Sequence, residues 1–157
     1  MALLATALVA VACGDDSSAS ACGPVETLFE PSSVHVLPGV AVTYDASPPA
    51  SGPHQIPAPD PGIYFEPLAE PLQVGAVEEG LVILQYATSA SDSDVTDLEA
   101  LSGRAAVIVM PGARPFDDDA MVAFTAWGKR QLCESVDVMA AEEFIDRFAG
   151  VVFVNHE

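Results

Sequence analysis

The stretch SPPASGPHQIPAPDPG, Ser47 to Gly62, sets the firmest limit on how this chain folds, because six of its sixteen residues are proline. Proline locks φ, removes a backbone donor and pushes the residue before it toward extended backbone. No helix runs through such a segment, and no central strand can use it. Regular structure is confined to the flanks, and the segment itself is an extended, stiff loop with His54 in its middle. Composition leaves two readings of it: a linker with a stray histidine, or a rigid mount for that histidine.

On the N-terminal side, VETLFE (Val25–Glu30) and VAVTY (Val40–Tyr44) have the β-branched and aromatic content of strands, with a Pro38-Gly39 turn between them. On the C-terminal side, EPLAEPLQVGAVEE (66–79) is ambiguous, with room for a short helix near Val74–Glu79. LVILQY (Leu81–Tyr86) is a continuous apolar run, the signature of a central strand buried on both faces. SDSDVTDLEALSG reads as a helix with Ser93 or Asp94 as N-cap, a face of Val95, Leu98 and Leu101, and Gly103 at its end. A calcium loop is the competing reading of Asp92, Asp94 and Asp97, but the required glycine and distal glutamate are missing, so capping is preferred. RAAVIVMP (Arg104–Pro111) and MVAFTAWG (Met121–Gly128) are further strands, joined by an exposed turn whose tip is Asp117-Asp118-Asp119. MAAEEFIDRFAG (Met139–Gly150) is amphipathic, with Met139, Phe144, Ile145 and Phe148 assigned to its apolar side, and VVFV follows as a short strand or tail. The expectation is one α+β domain, residues 24–157, with a mixed sheet and about two helices.

The chain opens with MALLATALVAVA, too short to span a bilayer, where about 20 residues are needed. Such a run ending in small residues reads as a signal peptide over residues 1–12. The ending Val9-Ala10-Val11-Ala12-Cys13 resembles a bacterial lipobox, which implies that Cys13 carries lipid. Residues 13–23 then form a tether, and the domain is expected outside the cytoplasm, anchored to a bacterial membrane. A buried N-terminal element is the alternative. With Cys13 lipidated, Cys22 and Cys133 remain as an even pair in an oxidising space, which permits a disulfide; two free thiols are the other outcome.

Charge excludes one class of partner. Five basic residues stand against 23 acidic ones, for a net charge of −18, and no basic residue precedes Arg104. Nucleic-acid affinity rests on Lys and Arg contacts to phosphates, which this chain cannot supply in number. The signature motifs of serine hydrolases, zinc proteases, dinucleotide and nucleotide binders and dithiol redox proteins are all missing, so an enzyme is the less favoured class. A serine triad would have to combine His35 or His54 with an unmarked serine such as Ser51, since His156 sits beside the C-terminus.

VTYDASPPASGPH (Val42–His54), PGIYFEPL (Pro61–Leu68), VGAVEEGLVILQY (Val74–Tyr86) and FTAWGK (Phe124–Lys129), in that order, resemble the DUF3105 family of bacterial domains of unknown function, often attached to the membrane. The likeness runs from about Pro24 to Phe148. It implies that the Pro-rich stretch is a structured loop, with Pro48, Pro49 and Pro53 fixing the backbone around Ser51-Gly52 and so fixing His54. It also implies that His35 and His54 match family histidines. The family pattern continues with an HxLEHG segment before the central strand, where this chain has Gly75 and Glu79 in the histidine places and keeps Glu78 and Gly80.

Four gathered histidines would suit a transition metal. Here His35, His54, Glu78 and Glu79 are the residues left to hold a divalent ion; in the competing reading the site has lapsed, His54 bonds a backbone carbonyl and the two glutamates are surface residues. Trp127 is read as core. The leading function from sequence is a lipid-anchored extracytoplasmic domain that binds another envelope component. The alternative is a divalent-metal-binding domain.

Overall fold

The computed structural model of the chain describes residues 20–28 and 34–152. In chain order these residues form strands β1 (Glu26–Thr27) and β2 (Gly62–Ile63), helix α1 (Glu70–Glu78), β3 (Val82–Tyr86), helix α2 (Asp92–Ala100), β4 (Val107–Pro111), β5 (Val122–Ala126), β6 (Lys129–Cys133) and helix α3 (Val138–Phe148). Short 3-10 turns follow α2 at Leu101–Gly103 and precede β5 at Asp117–Asp119. The segment expected to be a signal, Cys13 and most of the expected tether lie outside the described residues, as do Phe29, Glu30 and His156.

The strands make one mixed sheet in the order β1-β6-β5-β3-β4-β2. β3 runs parallel to β4 and antiparallel to β5, so the apolar run placed at the centre by its composition has hydrogen-bonded neighbours on both sides. Register then sorts side chains between two faces. Val82, Leu84, Val107, Val109, Val122 and Phe124 pack against Leu98 of α2 and Ala141, Phe144 and Ile145 of α3. Ile83, Ile108 and Met110 point the other way and pack against Ala76 and Val77 of α1.

A single α+β domain with a mixed sheet is what the sequence implied, but the described residues hold three helices rather than about two. The extra one is α1, whose proline falls in the first turn, where the backbone N–H is not needed by the helix. VAVTY forms no strand: β1 and β2 already occupy the sheet edges, and of this segment only Tyr44 is buried. β6 was missed because KRQLC reads as polar, although its register sends Arg130 and Cys133 into buried positions. Helix α2 starts earlier than expected; Ser91 is its N-cap, its Oγ accepting the Asp94 N–H at 3.1 Å. The Asp94 carboxylate itself accepts the Val136 N–H at 3.0 Å. Met139 is not on the packed side of α3 but 80% exposed.

Candidate metal centre

The Pro-rich segment is a cover laid on the face that α1 shares. Ser47, Pro48, Pro49, Ala50, Ser51, Gly52, His54 and Gln55 are all buried, Pro53 is half-buried, and the Ser47–Pro48 and Ile56–Pro57 peptides are cis. Hydrogen bonds fasten it. Ser47 Oγ donates to Pro115 O at 2.8 Å, the Ser47 N–H donates to Asp117 Oδ2 at 3.0 Å, and the Tyr44 hydroxyl donates to Pro53 O. Burial, and secondarily the charge of Glu70, pushes the Tyr44 hydroxyl pKa well above its ordinary value. Arg130, 5% exposed, reinforces the same end by donating to Ser47 O at 3.0 Å while paired with Asp117 and Glu26. Asp117 is therefore a structural partner, not the freely solvated loop tip that sequence suggested.

His54 sits at the seam between this cover, α1 and an N-terminal segment. The His54 N–H donates to Val34 O at 3.0 Å and the Val36 N–H donates to His54 O at 2.7 Å, an isolated parallel bridge that sets His35 beside His54. The two imidazole centroids are 4.9 Å apart, edge to face. On the other flank the Gln55 N–H donates to Pro71 O of α1 at 2.9 Å. Gly75, one helical turn further on, is packed against the same backbone: a Cβ there would lie 2.1 Å from Gln55 O. Only glycine allows this approach, and Glu78 follows one turn later on the same side of α1. Gly80 then closes the helix at φ +88°, a conformation glycine adopts without strain.

The result is a compact donor set. His35, His54 and Glu78 each offer a ligand atom, and these atoms lie within 4.8 Å of one another, with His54 and Glu78 buried and His35 exposed. His54 Nδ1 lies 2.9 Å from Gly52 O. A carbonyl only accepts, so Nδ1 carries a proton and Nε2 is the ring nitrogen turned toward the donor set. That Nε2 is 2.7 Å from Glu78 Oε2, yet it completes no hydrogen bond with any described residue. A buried nitrogen facing a buried carboxylate, with its other nitrogen donating to a backbone carbonyl, is the arrangement of a metal-ligating histidine and its outer partner. Two atoms bound tetrahedrally to one ion at about 2.0–2.2 Å would stand about 3.3–3.6 Å apart, so an ion fits after the pair opens by roughly 0.6–0.9 Å.

The sequence candidates divide accordingly. His35, His54 and Glu78 come together, whereas Glu79 is exposed at the end of α1 and does not join them. Gly75 has no space for a histidine side chain while Gln55 keeps its place. Trp127 is half-buried beside the α1 core, as expected, and its ring also meets His54 edge-on at 5.7 Å. Cys22 and Cys133 are joined in a disulfide that ties the N-terminal segment to β6. The closeness of Gly75 to Gln55 escaped sequence reasoning; a glycine inside an otherwise good helical run was its only signal.

The match to the sequence model of a protein of unknown function (DUF3105) covers residues 35–152, and the chain belongs to that family. The matched span starts at His35 and contains the whole of the His35, His54 and Glu78 group. No curated protein and no solved structure matches the chain.

Proposed function

We propose that this domain binds a first-row divalent transition-metal ion through His35, His54 and Glu78. The observation that carries the reading is the convergence of those three ligand atoms within 4.8 Å, two of them on buried residues. Two imidazoles and one carboxylate suit zinc, iron or manganese, and the imidazoles disfavour calcium, a hard ion that takes oxygen ligands. The family's unknown function leaves this choice to chemistry. Three protein ligands also leave a coordination position for water or an incoming group, the pattern of exchangeable and catalytic sites rather than closed structural ones.

The compartment belongs to the same proposal. Lipid at Cys13 holds the domain on the outer side of a bacterial membrane, within reach of an envelope component that delivers, receives or senses the ion. The Cys22–Cys133 disulfide supports an oxidising surrounding, since such bonds rarely persist in the cytosol.

The test is calorimetric titration of the purified chain with Zn2+ and Mn2+, beside His54→Ala and Glu79→Gln. One ion per chain, lost in His54→Ala and kept in Glu79→Gln, is expected. Absence of binding to the parent chain, or equal loss in both variants, overturns the ligand set. Labelling with radioactive palmitate, abolished by Cys13→Ser, checks the anchor separately.

A further inference from the structure

His35 is the exposed ligand of the three, and it arrives on the N-terminal segment rather than on the cover or α1. Of residues 20–28, which lead toward it, none is buried. They lie along β6 through backbone bonds, the Glu26–Arg130 pair and a bond from Lys129 Nζ to Thr27 Oγ1 at 2.8 Å. Contacts of this kind, largely open to water and without apolar burial, open at low free-energy cost. One fastening is covalent. Cys22 is joined to Cys133, its opposite number on β6, between the Gly23 N–H to Leu132 O bond at 2.8 Å and the Glu134 N–H to Ala21 O bond at 2.9 Å.

The tied segment reaches the metal group by two routes. Leu28 fastens the cover: its carbonyl accepts Ser51 Oγ at 3.4 Å, and its N–H donates to Gly128 O at 3.0 Å while the Gly128 N–H donates to Ala50 O at 2.7 Å. His54 follows three residues after Ser51 on that cover. The second route is the chain itself, since Val34 and Val36, whose backbone bonds set His35 beside His54, continue the same segment. The disulfide is also within reach of solvent. Cys22 is half-buried and lines an open cleft of about 670 Å3 with Ser20, Gly23, Pro24 and Leu132, whereas Cys133 is 2% exposed.

We infer that the Cys22–Cys133 disulfide is a redox clasp on the metal site: a dithiol that opens it loosens the segment carrying His35, and the domain holds its ion less tightly. The inference rests on the metal reading above. One thiolate of the dithiol attacks Cys22 Sγ from the cleft, forms a mixed disulfide and releases Cys133 as a thiolate; the second thiol then displaces Cys22. Two electrons and two protons pass to the domain, which ends with two thiols, and the dithiol ends as a disulfide. With His35 no longer held in place, the ion keeps only His54 and Glu78. By linkage, a bound ion favours the closed disulfide to the same degree.

The experiment is Zn2+ titration of the full chain carrying Cys13→Ser, which leaves no competing thiol, beside the same chain with Cys22→Ser and Cys133→Ser, and beside Phe144→Leu as a variant destabilised on the other face of the sheet. Loss of the disulfide is expected to weaken Zn2+ binding about 10-fold or more, while Phe144→Leu keeps the parent's affinity. Equal affinity with and without the disulfide overturns the inference and leaves the three ligands standing. An equal loss in Phe144→Leu makes the effect one of general stability and also overturns it, as does failure of the disulfide-free chain to fold, which would make the bond a requirement of the fold. A parent that binds no Zn2+ overturns the metal reading and this one together. Reach is tested separately by treating the metal-free parent with dithiothreitol in native buffer and alkylating it. Labels on both Cys22 and Cys133 are expected, and labelling that needs denaturant overturns the clasp.

Discussion

The two faces of the sheet are built on opposite principles. Beneath α2 and α3 every inward strand position from β3, β4 and β5 is apolar, and the helices add Leu98, Ala141, Phe144 and Ile145. Where α1 and the Pro-rich cover meet the sheet, aliphatic residues are mixed with His54, Gln73, Glu78, Gln85, Thr125 and Arg130, all buried. The first face gains free energy from every residue it buries. The second spends some of that gain on polar groups whose partners must be supplied one at a time. A fold this size has only about 5–15 kcal/mol to spare, so the apolar face is what allows the polar one to exist.

That division is broken most directly at Phe124, fully buried on the apolar face and stacked near Phe144 with ring centroids 5.9 Å apart. Phe124→Ala is expected to cost about 3–5 kcal/mol in urea unfolding, while metal stoichiometry in the folded fraction stays unchanged. A cost below about 1 kcal/mol would mean that this face does not carry the stability assigned to it. Reduction of the Cys22–Cys133 bond comes next. It releases a segment closed across 111 residues, and about 2–5 kcal/mol should be lost, read as a lower thermal midpoint in dithiothreitol. An unchanged midpoint would mean that the N-terminal segment stays docked on β6 without its covalent tie.

On the polar face the sharper probe is Gly75→Ala. Its Cβ would lie 2.1 Å from the Gln55 carbonyl oxygen, so either the cover or the helix must shift. About 1–3 kcal/mol of destabilisation is expected, and with it weaker metal binding, because His54 and Glu78 ride on the two parts being pushed apart. Lost stability with unaltered affinity would show that the seam does not position the ligands.

Acid acts on both faces through three carboxyls. Burial pushes Asp117 up, but hydrogen bonds from Arg130 and the Ser47 N–H outweigh it and hold the group below the usual carboxylate range. The Val136 N–H, against a burial penalty and with help from Ser91, does the same for Asp94; the Ala140 N–H and the Ser20 hydroxyl do so for Asp137. Each folded value lies below an unfolded value near 3.9, so in that window the unfolded chain binds more protons and stability rises with pH. The contribution is complete above about pH 5 and is lost as pH falls through the folded values. Asp117 has a side chain 38% exposed, so solvent screening keeps its share small. Comparing urea midpoints of parent and Asp117→Asn at pH 7 and pH 3.5 isolates it, since relief of the −18 charge affects both proteins alike. A gap between them that did not narrow at pH 3.5 would rule the pairing out as its source.

The apolar face was legible in the sequence and the polar face was not. LVILQY, RAAVIVMP and MVAFTAWG announce β3, β4 and β5 because a strand buried on both sides leaves a run of aliphatic residues. The α1 helix hid behind its prolines, and β6 behind its charges. His35 and His54 were singled out by resemblance, and Glu78 with them, but nothing in residue order separates a buried Glu78 from an exposed Glu79. That distinction is made by where α1 ends and which side of it meets Gln55. Gln85 lay inside the most apolar run of the chain and was absorbed into it, because a pattern reports average burial and not the partners of one amide.

Met139 shows the same limit on the apolar face, and it yields the smallest prediction. Grouping it with Phe144 and Ile145 followed from its hydrophobicity, yet at about 100° per residue it stands roughly 140° around the helix from Phe144. Ala141, Phe144 and Ile145 form the buried stripe, and Met139 is 80% exposed. Met139→Ser should therefore change stability by no more than about 0.5 kcal/mol, against several for truncation of Phe144. A cost above about 1 kcal/mol in urea unfolding would place Met139 under cover after all. The small effect is informative for the same reason the large one at Phe124 is: on this face burial alone sets the energy, whereas beneath α1 a residue's partners set it.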